Sequence, residues 1–314
     1  MVRYIKPWDS TKLVTVTLPN PSENLLSETA VIGPPKIITG QDNDTSVIQP
    51  MFHPITGQLF YISDQSGYYT IYMVDDNDDH HMVLPKITQV DFGGPSPGWG
   101  LGQMGYTFLS DGRLLATYKD KNTGRSILLV TTSAPQSNAE YVEYTNEDGL
   151  PLQFGGMCGG MTKNTVDDLY FIGGSPGTPS SVYYWSLKNK GEAKVLACSS
   201  KLQFDDSMIS IPQQIEFPTS DDTTAFGYYY PPKNGNYDEQ QSSSGPPLLV
   251  KAHGGYVSAT ITNTSGLHCI ALYCVVLHCI VLYCIALCVC VCDRNSQNTN
   301  FGCNSFCAHE IIIH

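Results

Sequence analysis

The residues that could take part in catalysis follow one short apolar segment. Leu248–Ala252 reads as a buried strand, and it runs directly into His253, Gly254 and Gly255. Because glycine carries no side chain, a turn of this composition lets backbone N–H groups approach a ligand closely. Such a turn can supply one donor of an oxyanion hole, and one donor stabilises an acyl-transfer transition state by about 2.7–4 kcal/mol. The sequence therefore predicts an oxyanion loop at these three residues.

His253 itself has two interpretations. As a strand-end histidine it would position the oxyanion loop through a hydrogen bond, and as a general base it would take a proton from a nucleophile. A general base needs a nucleophile within hydrogen-bonding reach, and no serine partner is recognisable in the sequence. We therefore favour the positioning role.

The serine-nucleophile pattern G-x-S-x-G occurs twice, at Gly94–Gly98 and at Gly173–Gly177. A nucleophile elbow requires a strand before the serine and a helix after it. In both copies a proline follows the serine directly, and proline disfavours the helical conformation of the residue before it. We interpret Ser96 and Ser175 as turn residues, so no catalytic residue is identifiable.

Two clusters contain residue types that bind metals. Asp75–His81 lacks the glycine and the distal glutamate of a calcium loop, which favours a solvated hairpin tip. The second cluster consists of Cys269, Cys274, Cys279, Cys284, Cys288, Cys290 and Cys292. These cysteines lie in unbroken apolar sequence, whereas zinc sites pair cysteines beside polar turns. The sequence thus predicts neither a metal site nor a cofactor.

The same cysteines belong to a tail with a period of ten residues. LHCIALYCVV, LHCIVLYCIA and LCVCVCDRNS follow one another, and Leu267–Cys292 contains no charged residue, glycine or proline. This run of 26 residues exceeds the roughly 20 needed to span a bilayer, but no basic cluster flanks it. We favour an aberrant tail encoded by simple-repeat DNA, and a membrane span through Leu267–Cys292 is the alternative.

The charge balance excludes several classes of partner. The chain has 314 residues, with 17 Lys and Arg against 29 Asp and Glu, and a formal net charge of -12. A surface this acidic disfavours nucleic acid and anionic lipid, because binding to either needs basic side chains. The first residues contain no apolar segment typical of a signal peptide, and only Cys158 and Cys198 precede position 268. We expect a cytoplasmic protein, whose oligomeric state the sequence does not indicate.

Up to about residue 210 the chain consists of short strand segments separated by Gly, Pro, Asn and Asp turns. In the clearest unit, the predicted strands are Val47–Phe52, Gln58–Ser63 and Tyr68–Val74, with turns at Pro54–Gly57 and Asp64–Gly67. This is the pattern of an antiparallel meander.

A second unit of the same kind occurs at 105–132, with turns at Ser110–Gly112 and Asp120–Gly124. A third occurs at 161–197, and Trp8–Val16 reads as the remains of a fourth. Antiparallel units that recur at about 40–50 residues are typical of propeller blades. We therefore favour a partial β-propeller of about four blades, and a β-sandwich is the alternative.

The pattern changes from Ile211 onwards. Strands are predicted at Gln214–Phe217 and Thr224–Tyr230 with a hairpin turn between them, and a polar loop then leads to Leu248–Ala252. An antiparallel pair followed by an inner strand is a typical start of an α/β sheet. The predicted domains are therefore 1–210, 211–262 and 263–314.

Four segments resemble the prolyl oligopeptidase family of serine peptidases, in particular its dipeptidyl- and acylaminoacyl-peptidase-like branch. They are QPMFHPITGQLFYISDQSGYYTIY, YTFLSDGRLLATY, IEFPTSDDTTAFGYYYPPKN and PPLLVKAHGG, and the match covers about residues 1–262. That family joins a β-propeller to a C-terminal α/β-hydrolase domain. The resemblance thus implies a mainly β chain, with a partial propeller, the first strands of a hydrolase domain and an apolar tail. It also implies that His253, Gly254 and Gly255 lie on the oxyanion side of the site.

The same resemblance implies a function. Members of the family hydrolyse short peptides by acyl transfer, with Ser, Asp and His residues that come later in their chains, and no position here matches those three. We expect a fragment truncated at both ends and itself inactive, whose complete homologue acts on short peptides. The alternative is a propeller-type protein-interaction module, which 267–292 could tether to a membrane.

Overall fold

The computed structural model describes the chain in ranges separated by gaps. These ranges are 10–17, 33–42, 44–92, 104–160, 162–175, 177–200, 205–218, 224–231, 233, 248–252, 285–290 and 312–313. Within them, regular structure is almost entirely β-strand, and the helical residues form two 3-10 turns, Asn146–Asp148 and Asp206–Met208. The predicted mainly β fold class is confirmed.

Four sheets follow one another along the first two-thirds of the chain, and each is built from consecutive strands. Sheet 1 consists of β1 (Leu13–Thr15) and β2 (Lys36–Thr39). Sheet 2 consists of β3 (Val47–Phe52), β4 (Leu59–Ser63), β5 (Thr70–Val74) and β6 (His80–Met82). Sheet 3 consists of β7 (Tyr106–Phe108), β8 (Leu114–Lys119), β9 (Ser126–Thr131) and β10 (Tyr141–Tyr144). Sheet 4 consists of β11 (Gln153–Gly159), β12 (Asp168–Ser175), β13 (Thr178–Ser186) and β14 (Lys194–Cys198). Repeated four-stranded units of this kind are propeller blades.

The turns within sheets 2 and 3 lie at the predicted positions. They contain Gly57, Gly67, Gly112 and Gly124, all with positive φ. The turn at Gly112 requires glycine for two reasons, since its φ is 87° and a Cβ atom would lie 3.0 Å from the ring of His53. Glycine at this position therefore permits both the turn and the close approach of His53.

Sheet 2 is packed on both faces, so its strands β4 and β5 are buried along their whole length. On one face, Phe60 belongs to a core that also contains Phe108 of sheet 3. On the other face, Tyr61 packs in a cluster with Leu13 of sheet 1. Burial on both faces explains why β4 and β5 do not alternate between apolar and polar residues.

A buried histidine joins sheet 2 to sheet 3. His53 Nδ1 accepts a hydrogen bond from the backbone N–H of Thr56 at 3.0 Å, so Nε2 carries the ring hydrogen and donates it to the carbonyl of Gly112 at 2.9 Å. The ring also makes an edge contact with Phe108, with centroids 4.9 Å apart. Both ring nitrogens are thus occupied in structural bonds.

A second polar contact joins the same two sheets at a bulge in β3. Gln49 has a positive φ of 52°, and the register of β3 against β4 shifts between Ile48 and Met51. The Gln49 side-chain carbonyl accepts from the N–H of Gly105 at 2.6 Å, and its backbone carbonyl accepts from the hydroxyl of Tyr106 at 2.9 Å. These two bonds compensate for the unfavourable backbone conformation.

An ionic cluster joins the start of β8 to the start of β12. The Arg113 guanidinium donates to Asp111 at 2.7 Å and to Asp167 at 2.8 Å, and Lys188 lies 3.0 Å from the other oxygen of Asp167. Partial burial favours a higher pKa for Asp167, but the hydrogen bonds from Arg113 and Lys188 outweigh it and hold the pKa below its usual value.

Sheet 5 has a different topology. It consists of β15 (Gln213–Pro218), β16 (Thr224–Tyr230), β17 (Leu248–Ala252), β18 (Ile285–Cys290) and β19 (Ile312–Ile313). The spatial order is β15-β16-β18-β17-β19, so β18 is inserted between two strands that precede it in the chain. Strands β17 and β18 are parallel, whereas β15–β16, β16–β18 and β17–β19 are antiparallel.

The strand β18 changes the interpretation of the tail. The sequence predicted either an aberrant segment or a membrane span there, and the structure instead places Ile285–Cys290 inside a sheet. The rest of Leu267–Cys292 lies outside the described residues. A long apolar run without turn residues cannot be assigned to strand or helix by periodicity, which is why the sequence did not predict β18.

The chain divides into two compact units. One comprises Met1–Leu150, Gly155–Phe171 and Trp185–Glu192, and the other comprises Pro151–Phe154, Ile172–Tyr184 and Ala193–His314. The boundaries predicted at residues 210 and 262 remain predictions.

We expect His53→Ala to lower the free energy of unfolding by about 2–4 kcal/mol, because it opens a cavity and removes the hydrogen bond to the carbonyl of the buried Gly112. Urea unfolding measures the loss. His81→Ala is the control, because the His81 side chain is partly exposed and forms an ion pair with Asp75 at the surface. It should cost less than about 1 kcal/mol. Equal losses in the two variants would contradict the role given to His53.

The Asp167 cluster predicts a pH-dependent contribution to stability. Because the pKa of Asp167 is lowered in the folded chain, its contribution is complete above the unfolded pKa of about 3.9 and is lost as the pH falls through the lower folded value. Asp167→Asn should therefore cost about 1–3 kcal/mol at pH 7 and progressively less below about pH 4.

Urea midpoints of wild type and variant at several pH values test this dependence. Glu140→Gln is the control, because the Lys86–Glu140 pair is exposed and should contribute little at any pH. A difference between wild type and Asp167→Asn that stays constant down to pH 3 would be inconsistent with the ionic cluster.

Candidate functional site

The candidate site lies at the carboxyl end of β17. Ala252 is the last residue of this strand and pairs with Val289 of the parallel strand β18. Ligands of α/β sheets bind beyond the carboxyl ends of parallel strands. The predicted oxyanion residues His253, Gly254 and Gly255 come next in the chain and lie outside the described residues, so their role remains a prediction. The strand that carries them is confirmed.

Backbone pairing holds β17 in position from two sides. All five of its residues pair with β18, from Leu248 with Ile285 to Ala252 with Val289. Leu248 and Leu249 also pair with β19 on the other side. A loop that begins at Ala252 therefore starts from a backbone fixed by the sheet, which is the arrangement that a preorganised oxyanion donor needs.

The sequence did not predict β18, although this strand is the parallel neighbour of β17. One signal was present, since Ile-Ala-Leu occurs both at 270–272 and at 285–287 in an apolar context suited to a buried strand. The two copies have the same local sequence, so the sequence does not indicate which of them forms the strand. The pairing of 285–287 with β16 and β17 is therefore not evident from the sequence.

Ser175 was predicted as a turn residue, and the structure places it in β12 as the last residue of this strand. It ends β12, and β13 begins at Thr178, so a strand follows it where a nucleophile elbow has a helix. Its hydroxyl accepts a hydrogen bond from the backbone N–H of Leu152 at 3.2 Å. A Cβ atom at Gly173 would lie 2.8 Å from the carbonyl of Gln153, so this glycine is required by packing. Ser96, the serine of the other G-x-S-x-G copy, lies outside the described residues.

Of the predicted hairpin tip Asp75–His81, residues 75–79 form the tip between β5 and β6, and His80 and His81 belong to β6. One oxygen of Asp75 accepts from the backbone N–H groups of Asn77 and Asp79, at 2.8 and 2.9 Å. Its other oxygen lies 2.9 Å from Nε2 of His81. The hydrogen bonds from His81 and from the backbone lower the pKa of Asp75. The carboxylate is thus used to close the turn.

Among the described residues, no group of three or more His, Cys, Asp or Glu side chains is placed to hold a metal ion. Cys158 and Cys198 are free thiols at the surface. The prediction that the chain has no metal and no cofactor remains a prediction, because the cysteines of the tail are not described beyond the backbone of β18.

No helix in the described part of the chain combines the length and the apolar character needed to cross a bilayer.

Comparison with known proteins identifies the fold. No family model matches the chain, and no curated protein matches it. Among solved structures, a puromycin-hydrolyzing peptidase of Mycobacterium tuberculosis superposes with a TM-score of 0.68 at 20% identity, over 90% of this chain and 38% of its own. Over the matched residues, the chain has the fold of the corresponding part of this peptidase.

Two further structures agree with this result. A puromycin hydrolase matches with a TM-score of 0.65 at 17% identity, over 91% of this chain and 38% of its own. A structure from a study of two prolyl endopeptidases matches with a TM-score of 0.54 at 12% identity, over 90% of this chain and 34% of its own. The predicted partial propeller followed by the first strands of a hydrolase domain is therefore confirmed as the fold. The chain spans little more than a third of the length of these peptidases.

The position of β18 can be tested at one residue. Leu287 lies in the middle of β18, where its backbone contributes to pairing with β16 and β17. Leu287→Pro removes the N–H and disrupts the ladder, so slow amide exchange in β16 and β17 should be lost while β4 and β5 stay protected. Hydrogen exchange with mass spectrometry measures this.

Leu287→Ala is the matched control, because it retains the backbone N–H at the same position. Protection in β16 and β17 should survive in this variant. If Leu287→Pro left their exchange unchanged, Ile285–Cys290 would not be a strand of sheet 5 in solution.

Proposed function

We propose that this chain is the propeller-bearing part of a serine peptidase of the prolyl oligopeptidase type, including the strand that leads to its oxyanion loop. One observation carries the proposal: β17 ends beside a parallel strand and runs into His253-Gly254-Gly255, in a chain with the fold of a puromycin-hydrolyzing peptidase. The proposed substrates of the complete enzyme are short peptides.

The role of this chain in such a reaction is electrostatic. As the serine oxygen attacks the peptide carbonyl, the carbonyl oxygen becomes negative, and a backbone N–H in the Gly254–Gly255 region would donate a hydrogen bond to it. His253 would hold the loop in place. The serine, the histidine that moves the proton and the aspartate that orients this histidine have no identifiable counterpart in residues 1–314.

The known losses in kcat when parts of a serine peptidase site are removed imply that this chain is inactive by itself. Removing one oxyanion donor from a serine peptidase costs about 10²–10³ in kcat. Removing the nucleophile or the catalytic histidine costs about 2 × 10⁶. An oxyanion loop without a nucleophile forms no acyl-enzyme, so the chain should neither turn over peptides nor bind covalent serine reagents.

We therefore expect a fluorophosphonate probe to leave the purified chain unlabelled, with the mycobacterial puromycin-hydrolyzing peptidase as the labelled control. In-gel fluorescence and intact mass measure the labelling. If the chain were labelled and the labelling disappeared in Ser96→Ala or Ser175→Ala, that serine would be a nucleophile. The proposal would then fail.

A second function, binding to another protein surface, is favoured by a separate observation. Ile172 and Val182 are exposed apolar side chains on neighbouring strands of sheet 4. Exposed apolar residues grouped on one sheet face are typical of an interaction surface.

The cytoplasmic location and the alternative of membrane attachment through Leu267–Cys292 remain predictions. Carbonate extraction of the expressed chain distinguishes them, because an inserted segment stays in the membrane pellet.

A further inference from the structure

Two partly buried aspartates lie at the end of sheet 2 where β4 turns into β5. Asp64 directly follows β4, and its backbone carbonyl accepts from the N–H of Gly67 at 2.7 Å within this turn. The turn ends at Tyr69, just before β5, and the N–H of Tyr69 donates to a carboxylate oxygen of Asp91 at 2.8 Å. Asp64 therefore begins the turn, and the carboxylate of Asp91 binds its other end.

Each carboxylate takes part in a reciprocal backbone contact. The Asp64 carboxylate accepts from the N–H of the buried Ser46 at 2.7 Å, and the N–H of Asp64 donates to the carbonyl of Ser46 at 3.3 Å. Asp91 contacts the buried Tyr69 in the same way, since the N–H of the next residue, Phe92, donates to the carbonyl of Tyr69 at 2.9 Å. The two side chains thus tie the start of β3 and the segment before Phe92 to one turn.

The segment that contains Asp91 also contacts sheet 3. Phe92 is fully buried in the core shared by sheets 2 and 3, and it forms an isolated β-bridge with Tyr118 of β8. The rings of these two residues make an edge contact with centroids 5.6 Å apart. The bonds of Asp91 and Phe92 with Tyr69 therefore connect the turn of sheet 2 to a residue that packs against sheet 3.

The charges that act on these carboxylates are negative. Asp64 is repelled by Asp91 and by Asp44, which lies two residues before Ser46. In the part of the chain that the structure describes, no Lys, Arg or His forms an ion pair with Asp64 or Asp91. Titratable groups on the neighbouring segments have other partners: Lys86 contacts Glu140 at 2.9 Å, Lys121 contacts Gln89 at 2.9 Å, and Tyr118 contacts Glu143 at 2.6 Å.

Burial is the main reason why both groups favour the protonated form. It raises the pKa of Asp64, the charges of Asp44 and Asp91 raise this pKa further, and the backbone N–H bonds offset only part of the effect. Burial also raises the pKa of Asp91, despite the bond from Tyr69. A carboxyl group whose pKa is raised by folding destabilises the fold fully above the raised value. This destabilisation disappears as the pH falls towards the unfolded pKa of about 3.9.

We propose that the β4–β5 turn, with Asp64 and Asp91, is a pH-sensitive joint, which the ionised carboxylates loosen at neutral pH and which tightens when they take up protons. A protonated carboxyl group keeps an oxygen that accepts a hydrogen bond, so the contacts with Ser46 and Tyr69 survive protonation. Protonation removes the repulsion and the cost of burying two negative charges. The joint responds in the opposite sense to Asp167, whose ionised form stabilises the fold.

Asparagine at these positions reproduces the protonated state, because it is neutral and its side-chain carbonyl can accept the same N–H bond. Asp64→Asn and Asp91→Asn should each raise the urea midpoint at pH 7.5 by roughly 0.2–0.5 M, and the gain should fall towards zero near pH 4. Asp76→Asn is the matched control, because it makes the same change of net charge at an exposed residue of the β5–β6 hairpin. Its midpoint should stay within about 0.1 M of the wild type at both pH values.

The wild type provides an independent measurement. The side-chain carboxyl carbons of Asp64 and Asp91, followed by NMR, should titrate above the ordinary pKa of about 3.9. After correction for intrinsic rates, the N–H groups of Ser46 and Tyr69 should exchange at least about threefold more slowly at pH 5 than at pH 7.5. Titration of both carboxyl groups at or below the ordinary value would overturn the proposal.

The double variant tests whether the two carboxylates act together. Because ionised Asp64 and Asp91 repel each other, replacing one relieves the other, so Asp64→Asn/Asp91→Asn should raise the midpoint by less than the sum of the single gains. A single variant less stable than the wild type at pH 7.5, or a gain that is equal at pH 7.5 and pH 4, would overturn the proposal. An equal gain in Asp76→Asn would overturn it as well, because relief of net charge would then explain the effect.

Discussion

The fold depends on the requirement that each small sheet bury an apolar face against a neighbouring sheet. An isolated pair of short strands is at best marginally stable in water, and the sheets here gain stability by packing their apolar faces against one another. Sheet 2 satisfies the requirement on both faces, which is why β4 and β5 are buried throughout. Polar contacts then fix how the sheets meet. His53 and Gln49 join sheet 2 to sheet 3, and Arg113 with Asp167 joins β8 to β12.

The same requirement explains the open surfaces and the candidate site. Apolar side chains such as Ile37 of sheet 1 and Ile172 of sheet 4 do not pack in this way and remain exposed. In sheet 5 the backbone is the constrained element, because β17 pairs with β18 along its whole length and with β19 at Leu248 and Leu249. An oxyanion donor acts by being in place before charge develops, so a fixed strand end suits this role.

Much of the fold and part of the site could be predicted from the sequence. Strands β3, β4, β5, β16 and β17 and the turns at Gly57, Gly67, Gly112 and Gly124 follow from alternation and turn residues, which act over a few positions. The same local logic assigned Ser175 to a turn, whereas the structure places it at the end of β12. The sequence did not predict β2 or β18, nor the hydrogen bond of His53 with Gly112. Each of these depends on a partner far away in the chain, and nothing in the local pattern identifies that partner.

The sequence by itself determined where the chain turns, which segments are apolar, and that a glycine-rich turn follows the strand Leu248–Ala252. These properties depend on steric limits and hydrophobicity within a few residues. Only the tertiary structure decided that Ile285–Cys290 is a strand beside β17, and that Val14 and Ile172 remain exposed. The physical reason is that strand pairing and sheet packing are long-range choices among locally equivalent alternatives, and only the contacts of the complete fold distinguish them.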